Sequence, residues 1–371
     1  MEKIFTVIGL MSGTSGDGID ASLIQSDGEK KLNILNNLFV PYNSKIRLEI
    51  NQLRDKINVP ADLINNAKEI NSFEEILTRI HSEAVNLLLK KSNLRPNQVD
   101  LLGFHGHTIY HSHQNSLTKQ IGNGLLLSKL TNINTIYNFR ENDLKNQGQG
   151  APLAPIYHNL LCNNLKIEKP SAFINIGGIS NVTFVNINNK FMSFDTGPGN
   201  YLIDKFLQIK SNNKLLFDKD GEYAFRGSVN NIVLENYLND PYYEIIPPKS
   251  LDINDFNISG IRGLNIEDAI STFSELTAQT IFNSFKFFKN KPNTIIICGG
   301  GRKNKYIFSR LEKLMRKKIK KIEDLGFDGD FIESQAFGYL AIRSFLKKPI
   351  TFPLTTGVKK PLSGGLLAKI R

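Results

Sequence analysis

Strands and helices alternate along this chain, and the alternation begins twice in the same way, which predicts an α/β protein of two related lobes. Three observations carry that expectation. Each half opens with a strand, a glycine-rich turn and a second strand. Each then passes into amphipathic helices and short buried strands. The 371 residues exceed what one hydrophobic core ordinarily organises. The expected division is a first lobe over residues 1–150 and a second over 151–371, with the C-terminal tail able to return to the first and the ligand in a cleft between them.

Taken in order, residues 4–10 are β-rich, residues 12–18 form a turn of glycines and hydroxyls, and residues 19–25 are β-like again. A long polar and helical stretch follows. Within residues 73–89, Ile76, Leu77, Ile80, Ala84, Leu87 and Leu88 recur at helical spacing. Residues 99–104 read as a short buried strand leading to a polar turn at His105, Gly106 and His107, and residues 133–137 as another strand. Residues 138–155 carry too much Gly, Gln and Pro for a regular element, a composition that in a compact domain usually marks function or disorder.

The second half repeats the opening with a strand over 172–176, a turn at Gly177 and Gly178, and a strand over 182–187. Residues 194–200 read as a further glycine turn with a helix starting near Asn200. Residues 266–288 form the clearest helix, stopped by Lys-Asn-Lys-Pro. A buried strand over 294–298, a turn at residues 299–301, a helix over 306–315 and a last amphipathic helix over 331–346 complete the chain. That last helix is expected to turn Phe331, Ala336, Leu340 and either Ile342 or Phe345 inward.

Composition excludes several classes of protein. Hydrophobic residues make up 40% and charged residues 22%, which rules out a mostly disordered chain. Lys and Arg number 46 against 35 Asp and Glu, a net charge of +11 that favours anionic ligands. Much of it lies in Arg316, Lys317, Lys318, Lys320 and Lys321 and near the C-terminus, where it reads as solvated faces rather than a nucleic-acid site. Cys162 and Cys298 are too few for a disulfide framework or a four-ligand zinc site. No apolar run approaches the roughly 18–20 residues that span a bilayer, so a cytoplasmic protein without membrane partners is expected. His105 and His107 are expected to share a strand face, as are His111 and His113, but without interleaved acids or cysteines they make a poor zinc site.

Chemistry concentrates in the glycine turns. In the first, Gly13, Thr14, Ser15, Gly16, Asp17, Gly18, Ile19 and Asp20 can direct backbone N–H groups and hydroxyls at a phosphate. No Gly-Lys-Ser/Thr follows at Walker spacing. Asp17 and Asp20 suit such a turn if a divalent cation screens them or if they point away. The second turn, with Gly177, Gly178 and Asn181, offers a matching cradle for the same phosphates. The third, with Gly299, Gly300, Gly301 and Asn304, lies between a strand and a helix where backbone can pass flat against a base or ribose, with Arg302 or Lys303 placed to cover it. A hairpin that merely satisfies turn geometry is the structural alternative for any one of them.

Four strings then occur in order: Met11-Ser12-Gly13-Thr14-Ser15, Gly148-Gln149-Gly150-Ala151-Pro152-Leu153, Asn175-Ile176-Gly177-Gly178-Ile179-Ser180-Asn181 and Phe194-Asp195-Thr196-Gly197-Pro198-Gly199-Asn200. Together they resemble the anhydro-N-acetylmuramic acid kinase family, within the superfamily of actin, sugar kinases and heat-shock chaperone ATPases. The resemblance runs from residue 9 to Thr355-Thr356-Gly357. It implies a two-lobed actin-like ATPase fold of two related mixed-sheet domains, ATP and Mg²⁺ as cofactors, a small anhydro amino sugar as substrate in cell-wall recycling, and a homodimer among the assemblies allowed. The chain departs from the family pattern at Gly16, Gln147 and His107. It departs again after Lys249-Ser250, where Leu251-Asp252-Ile253-Asn254 replaces the usual Thr-Gly-Arg-Glu.

The implied reaction adds water to the anomeric carbon of a 1,6-anhydro sugar and moves the γ-phosphoryl of ATP to the freed O6. That needs a base for the water and a cradle for the phosphates. By resemblance Asp195 is the catalytic aspartate, and the helix that follows it is expected to face its N-terminus to the anion. Capping of that helix is the structural alternative for Asp195. Arg140 suits the sugar's lactyl carboxylate, the alternative being a salt bridge to Asp143. Thr108 and Gly197 are expected to touch the sugar, and Glu333 to hold the metal through water, although a helix-start Glu also answers the dipole. A related sugar kinase with an altered substrate and a nucleotide-dependent binding protein on the same fold remain the alternative functions.

Overall fold

The computed structural model describes residues 3–13 and 15–370. It divides into two compact units, Met1–Lys166 with Phe331–Arg371, and Ile167–Asp330. In the first, β1 (Phe5–Ser12), β2 (Gly18–Ser26) and β3 (Leu32–Pro41) form an antiparallel meander. Helices α1 (Ser44–Lys56), α2 (Pro60–Asn65) and α3 (Ala67–Lys91) follow, and β4 (Leu101–Ser112) returns parallel to β1. β5 (Leu117–Ile121) pairs antiparallel with the outer part of β4, and α4 (Gly124–Thr131) leads to β6 (Thr135–Tyr137), parallel to β4. Asn43 and Asn123 start α1 and α4 by accepting from the amides of Ile46 and Leu126, which satisfies donors a helix start leaves unpaired.

The long helix α3 buries Phe73, Leu77, Ala84, Val85 and Leu88 in the same core as Ile19, Ala21 and Leu23 of β2. Ile76 and Leu87, which share the apolar spacing, face out instead. The stretch after residue 138 holds a short helix, α5 (Glu141–Lys145), and then α6 (Pro155–Asn164).

The second unit repeats the plan. β7 (Ser171–Ile176), β8 (Ile179–Val185) and β9 (Phe191–Pro198) form the meander, and α7 (Tyr201–Lys210), α8 (Glu222–Arg226), α9 (Asn231–Leu238) and α10 (Ile266–Ser284) follow. β10 (Thr294–Cys298) then runs parallel to β7, and α11 (Lys305–Met315) leads to β11 (Lys320–Lys321), parallel to β10. The order β11-β10-β7-β8-β9 matches β6-β4-β1-β2-β3 strand for strand. The two openings seen in the sequence are the start of one five-strand plan used twice, in two mixed sheets.

Two expectations change here. Residues 194–198 are the end of a strand rather than a turn, because Ser180 pairs with Gly197 and Asn181 with Asp195 across the β8–β9 ladder. The α-helix expected to reach residue 288 ends at Ser284, and residues Phe285–Phe287 tighten into a 3₁₀ turn.

From Phe331 the chain rejoins the first unit. α12 (Ile332–Phe345) packs on its sheet and β12 (Leu366–Ala368) pairs antiparallel with β6. Two strand glycines let the helix come this close: a Cβ on Gly9 would stand 1.9 Å from the Ser334 carbonyl oxygen, and one on Gly103 2.2 Å from that of Phe337. Ala336, Leu340 and Ile342 are buried, whereas Phe345 is 42% exposed.

The boundary expected after residue 150 falls at 166, and the C-terminal part from Phe331 groups with the first unit, a longer return than a tail alone. Residues 148–150 are not a linker. The Gln149 amide donates to the Thr356 carbonyl at 2.7 Å, and the Tyr157 hydroxyl of α6 donates to Gln335 of α12 at 2.8 Å.

Candidate active site

The turn between β1 and β2 closes with the Gly16 amide on the Gly13 carbonyl at 3.0 Å. Thr14 lies outside the described residues. The Ser15 hydroxyl donates to Asp17 at 2.7 Å, so this pair is satisfied locally on the surface. Ile19 is fully buried in the core, which leaves only its backbone for a ligand. Gly18 opens β2 against the Phe39 ring. Asp20 alternates with the core residues Ile19 and Ala21 and so shares a strand face with Ser22. The Ser22 hydroxyl meets that of Ser334 at 2.6 Å, beside Glu333 in the first turn of α12.

In the turn between β7 and β8 the carbonyl of Gly177 accepts from Asn200 at 2.8 Å, and that of Gly178 accepts from Gly199 and Tyr201 at 2.8 and 3.1 Å. These amides are the start of α7. The Asn200 and Tyr201 amides at the start of α7 are thus spent on the turn rather than offered to an anion. Asp195 does not cap α7 either, because Asn200 holds the N-cap position.

The turn after β10 holds Gly299 against Asn175 and Gly301 against Ile176. Arg302 does not cover a ligand. It is buried, donating from Nε to Glu323 at 2.5 Å and from a terminal nitrogen to Asp330 at 2.7 Å, while Lys303 pairs with Asp330 at 2.6 Å. Burial of a guanidinium is tolerable only with such partners. Asn304 caps α11 by accepting from the Ile307 amide at 3.1 Å.

One glycine in each turn stands apart. A Cβ on Gly13, Gly177 or Gly300 would meet its nearest atom only at 3.8, 3.5 or 4.0 Å, and none of the three has a positive φ. Neither packing nor backbone conformation demands glycine there. What remains is space over exposed main chain, the surface an incoming phosphate or ribose needs.

Asp195 sits in β9, directly across the ladder from Asn181, which itself pairs with Asn175 and so places the three in one polar row. The residue is 6% exposed, and its Oδ2 accepts from the Leu251 amide at 2.9 Å. Its main chain is gripped as well: its amide donates to the Lys249 carbonyl at 3.1 Å and its carbonyl accepts from the Tyr242 hydroxyl at 2.6 Å. Burial, and then the Asp195 charge, push the Tyr242 hydroxyl far above its usual range, so it stays a donor. Gly197, two residues on, packs against Thr280 of α10.

The first unit gathers a second polar cluster. Arg140 donates from Nε to His105 Nε2 at 3.1 Å and from a terminal nitrogen to the Gly150 carbonyl at 2.7 Å. Asp143 takes the other side of that residue, accepting from the Gly150 amide and the Thr356 hydroxyl, both at 2.7 Å. Arg140 and Asp143 thus grip Gly150 from its carbonyl and its amide. Burial, and then Arg140, hold His105 well below the usual imidazole pKa. The neutral ring donates from Nδ1 to the Gly106 carbonyl at 3.0 Å and accepts at Nε2.

His105, Gly106 and His107 form no turn, and Thr108 lies in the same continuous strand β4. Leu10 pairs with Phe104 but Ser12 with His107, so β4 carries one residue more than β1 over that interval, and Gly106 absorbs it at φ +76°. The bulge also breaks the alternation. The His105 ring packs on Phe337 of α12 at 4.5 Å between centroids, whereas His107 meets the Ser12 hydroxyl at 3.0 Å and feels His81 of α3 and Arg54 of α1. The two histidines therefore face opposite sides, which removes the expected shared face. Tyr42 donates to the same Ser12 oxygen at 2.9 Å, fixing the base of the first turn. Thr108 accepts from Gln120 at 3.3 Å.

Mg²⁺ prefers oxygen donors. Asp20 and Glu333 offer carboxylates on and beside one strand face, while no group of three or more His, Cys, Asp or Glu among the described residues makes a self-sufficient metal site. That fits an ion held mainly by phosphates and completed by one or two carboxylates, and does not fit zinc.

Sequence reading missed Tyr242 and Lys249 as neighbours of Asp195, and His105 and Tyr42 as supports. Lys249 was legible only as part of a Pro-Pro-Lys-Ser string, with no sign of the rings that surround it.

Comparison with known proteins gives the family. The family model described as anhydro-N-acetylmuramic acid kinase matches residues 5–369. A protein of that name from Pelagibacter ubique (strain HTCC1062) is 47% identical over 379 residues, covering 100% of both chains. Those from Rhizobium etli (strain ATCC 51251 / DSM 11541 / JCM 21823 / NBRC 15573 / CFN 42) and Brucella suis (strain ATCC 23445 / NCTC 10510) are each 37% identical, the first covering 99% of this chain and 100% of its own, the second 99% of each. With the motifs in order and the match running almost end to end, the chain belongs to the anhydro-N-acetylmuramic acid kinase family.

Proposed function

We propose that this chain opens 1,6-anhydro-N-acetylmuramic acid with water and phosphorylates it at O6 with ATP, giving N-acetylmuramic acid 6-phosphate and ADP. The observation that carries the reading is the carboxylate of Asp195, buried, oriented by the Leu251 amide and clamped at its own backbone. A carboxylate so held can take a proton from a water aligned on the anomeric carbon. As the water oxygen bonds to C1, the C1–O6 bridge bond breaks. O6 then bonds to the γ-phosphorus while the bond to the β-phosphate oxygen breaks and ADP leaves. The proton stays on Asp195 until it is lost to solvent.

Open backbone at Gly13, Gly177 and Gly300 supports phosphate and ribose binding in these three turns. Asp20, and Glu333 through water, would hold Mg²⁺, whose charge offsets that developing on the transferred phosphoryl group. Arg140, steadied by His105 and the Gly150 carbonyl, is the residue for the lactyl carboxylate, and Thr108, on the same strand as His105, is the residue for a sugar hydroxyl. The backbone of Ile19 and the neighbourhood of Asn304 and Gly301 complete the nucleotide surface as supporting structure.

The decisive experiment is Asp195→Asn. Turnover, read as ADP release, is expected to fall at least about a thousandfold while ATP affinity stays within about twofold. Undiminished phosphorylation by this variant would remove the mechanism. Leu251 to Asn254, in place of the family's usual Thr-Gly-Arg-Glu, favour testing one second reading, a sugar kinase of altered substrate. ADP release with 1,6-anhydro-N-acetylmuramic acid, set beside N-acetylmuramic acid and N-acetylglucosamine, separates the two.

A further inference from the structure

Lys249 is a buried charge that the proposed chemistry does not use. The residue is 4% exposed, and its Nζ donates to the Tyr242 carbonyl at 2.8 Å. The ammonium otherwise faces rings, at 4.4, 4.8 and 5.9 Å from the centroids of Tyr242, Phe287 and Phe194. The charged and titratable groups around it are few. Tyr242, Tyr243 and Glu244 come from the turn at Pro241–Glu244, and Asp195 from β9. Lys286, from the turn at Phe285–Phe287, is paired with Glu244 at 2.6 Å. Glu244, the acid that would neutralise Lys249, is thus committed elsewhere, and cation–π attraction only partly offsets the loss of water.

A core position with no other duty would be apolar. Here the lysine closes a ring of bonds around Asp195. Its own carbonyl accepts from the Asp195 amide, and two residues on, the Leu251 amide holds the Asp195 carboxylate. Its ammonium holds the carbonyl of Tyr242, whose hydroxyl donates to the Asp195 carbonyl. We propose that Lys249 is a positioning residue for Asp195, its caged ammonium tying the Tyr242 turn to the Lys249–Leu251 segment so that both grip the same carboxylate-bearing backbone.

The proposal rests on Asp195 being the base, and its test is built to fail separately from that reading. Lys249→Met keeps the stem and removes the charge. We expect kcat for ADP release to fall about tenfold to a hundredfold, with KM for ATP and sugar within about twofold. Desolvation lowers the lysine to about pKa 8, so the wild-type protein should lose kcat through an alkaline limb near that pH, and the variant should lack it. Amide hydrogen exchange at Asp195 and Leu251 should quicken at least about tenfold in the variant, a readout independent of turnover. Full kcat with unchanged exchange in Lys249→Met overturns the proposal even if Asp195→Asn is inert. An alkaline limb that persists in the variant overturns it too, since a purely structural lysine would leave that limb in place. Should Asp195→Asn remain active, the base assignment falls, and the exchange rates still decide whether the clamp exists.

Discussion

A carboxylate that must accept a proton has to be held still without being neutralised. Asp195 is held at its carboxylate by the Leu251 amide and at its own backbone by the Tyr242 hydroxyl and the Lys249 carbonyl. The cost is carried by Lys249. Its pKa falls from 10.5 to about 8 through burial, with Lys286 adding to the fall and Glu244 opposing it. Between these two values the unfolded chain binds more protons than the folded one, so stability rises with pH across that window. Below pH 8 the native state bears the full penalty, and above 10.5 it is gone. Lys249→Met should therefore be more stable than the wild type by about 2–3 kcal/mol at pH 7, a gap that closes between pH 8 and 10.5. Denaturant unfolding at pH 7 and pH 10 reads it directly. A variant that is slower yet more stable is the signature of strain kept for function.

At the scale of elements, legibility tracked locality. The paired openings β1–β2 and β7–β8 were visible because apolar runs broken by glycine turns are contiguous in sequence. β3 was lost because Asn33, Asn36 and Asn37 interrupt its alternation, and it is only half-buried. Strand β4 was cut short at Phe104 because His105-Gly106-His107 has the composition of a turn, although the structure uses it as a bulge. Lys249's cage draws on residues from 194 to 287, and Arg302 finds its acids at 323 and 330, spacings that no local pattern reports. The bulge is testable as an element. Alanine at position 106 must adopt φ +76° with its Cβ 2.5 Å from the Ile121 carbonyl oxygen. Gly106→Ala is expected to cost roughly 2–4 kcal/mol. A shifted denaturation midpoint with an unchanged m-value would record that, and a midpoint within experimental error of the wild type would show that β4 tolerates a regular ladder.

For the whole molecule, the two units share one topology but not one acid chemistry. All six histidines, His81, His105, His107, His111, His113 and His158, belong to the first unit. Burial holds His81 at about pKa 4 and His107, His111 and His158 at about 3, and His105 well below its normal value, so these rings are neutral in the fold. In the unfolded chain they titrate near 6.5. From pH 6.5 down toward 4 the unfolded state thus takes up protons that the native first unit refuses, and stability falls with pH. No histidine lies in Ile167–Asp330, and its lowered carboxylates Glu275 and Asp330 begin to act only below the ordinary carboxylate values of 4.5 and 3.8. Amide exchange followed from pH 7 to pH 5 should therefore show protection in β1 and β4 dropping while β7 and β10 keep theirs. Equal loss in both sheets would mean that the units open together, and the histidines would then set the acid limit of the entire chain rather than of the half that contains them.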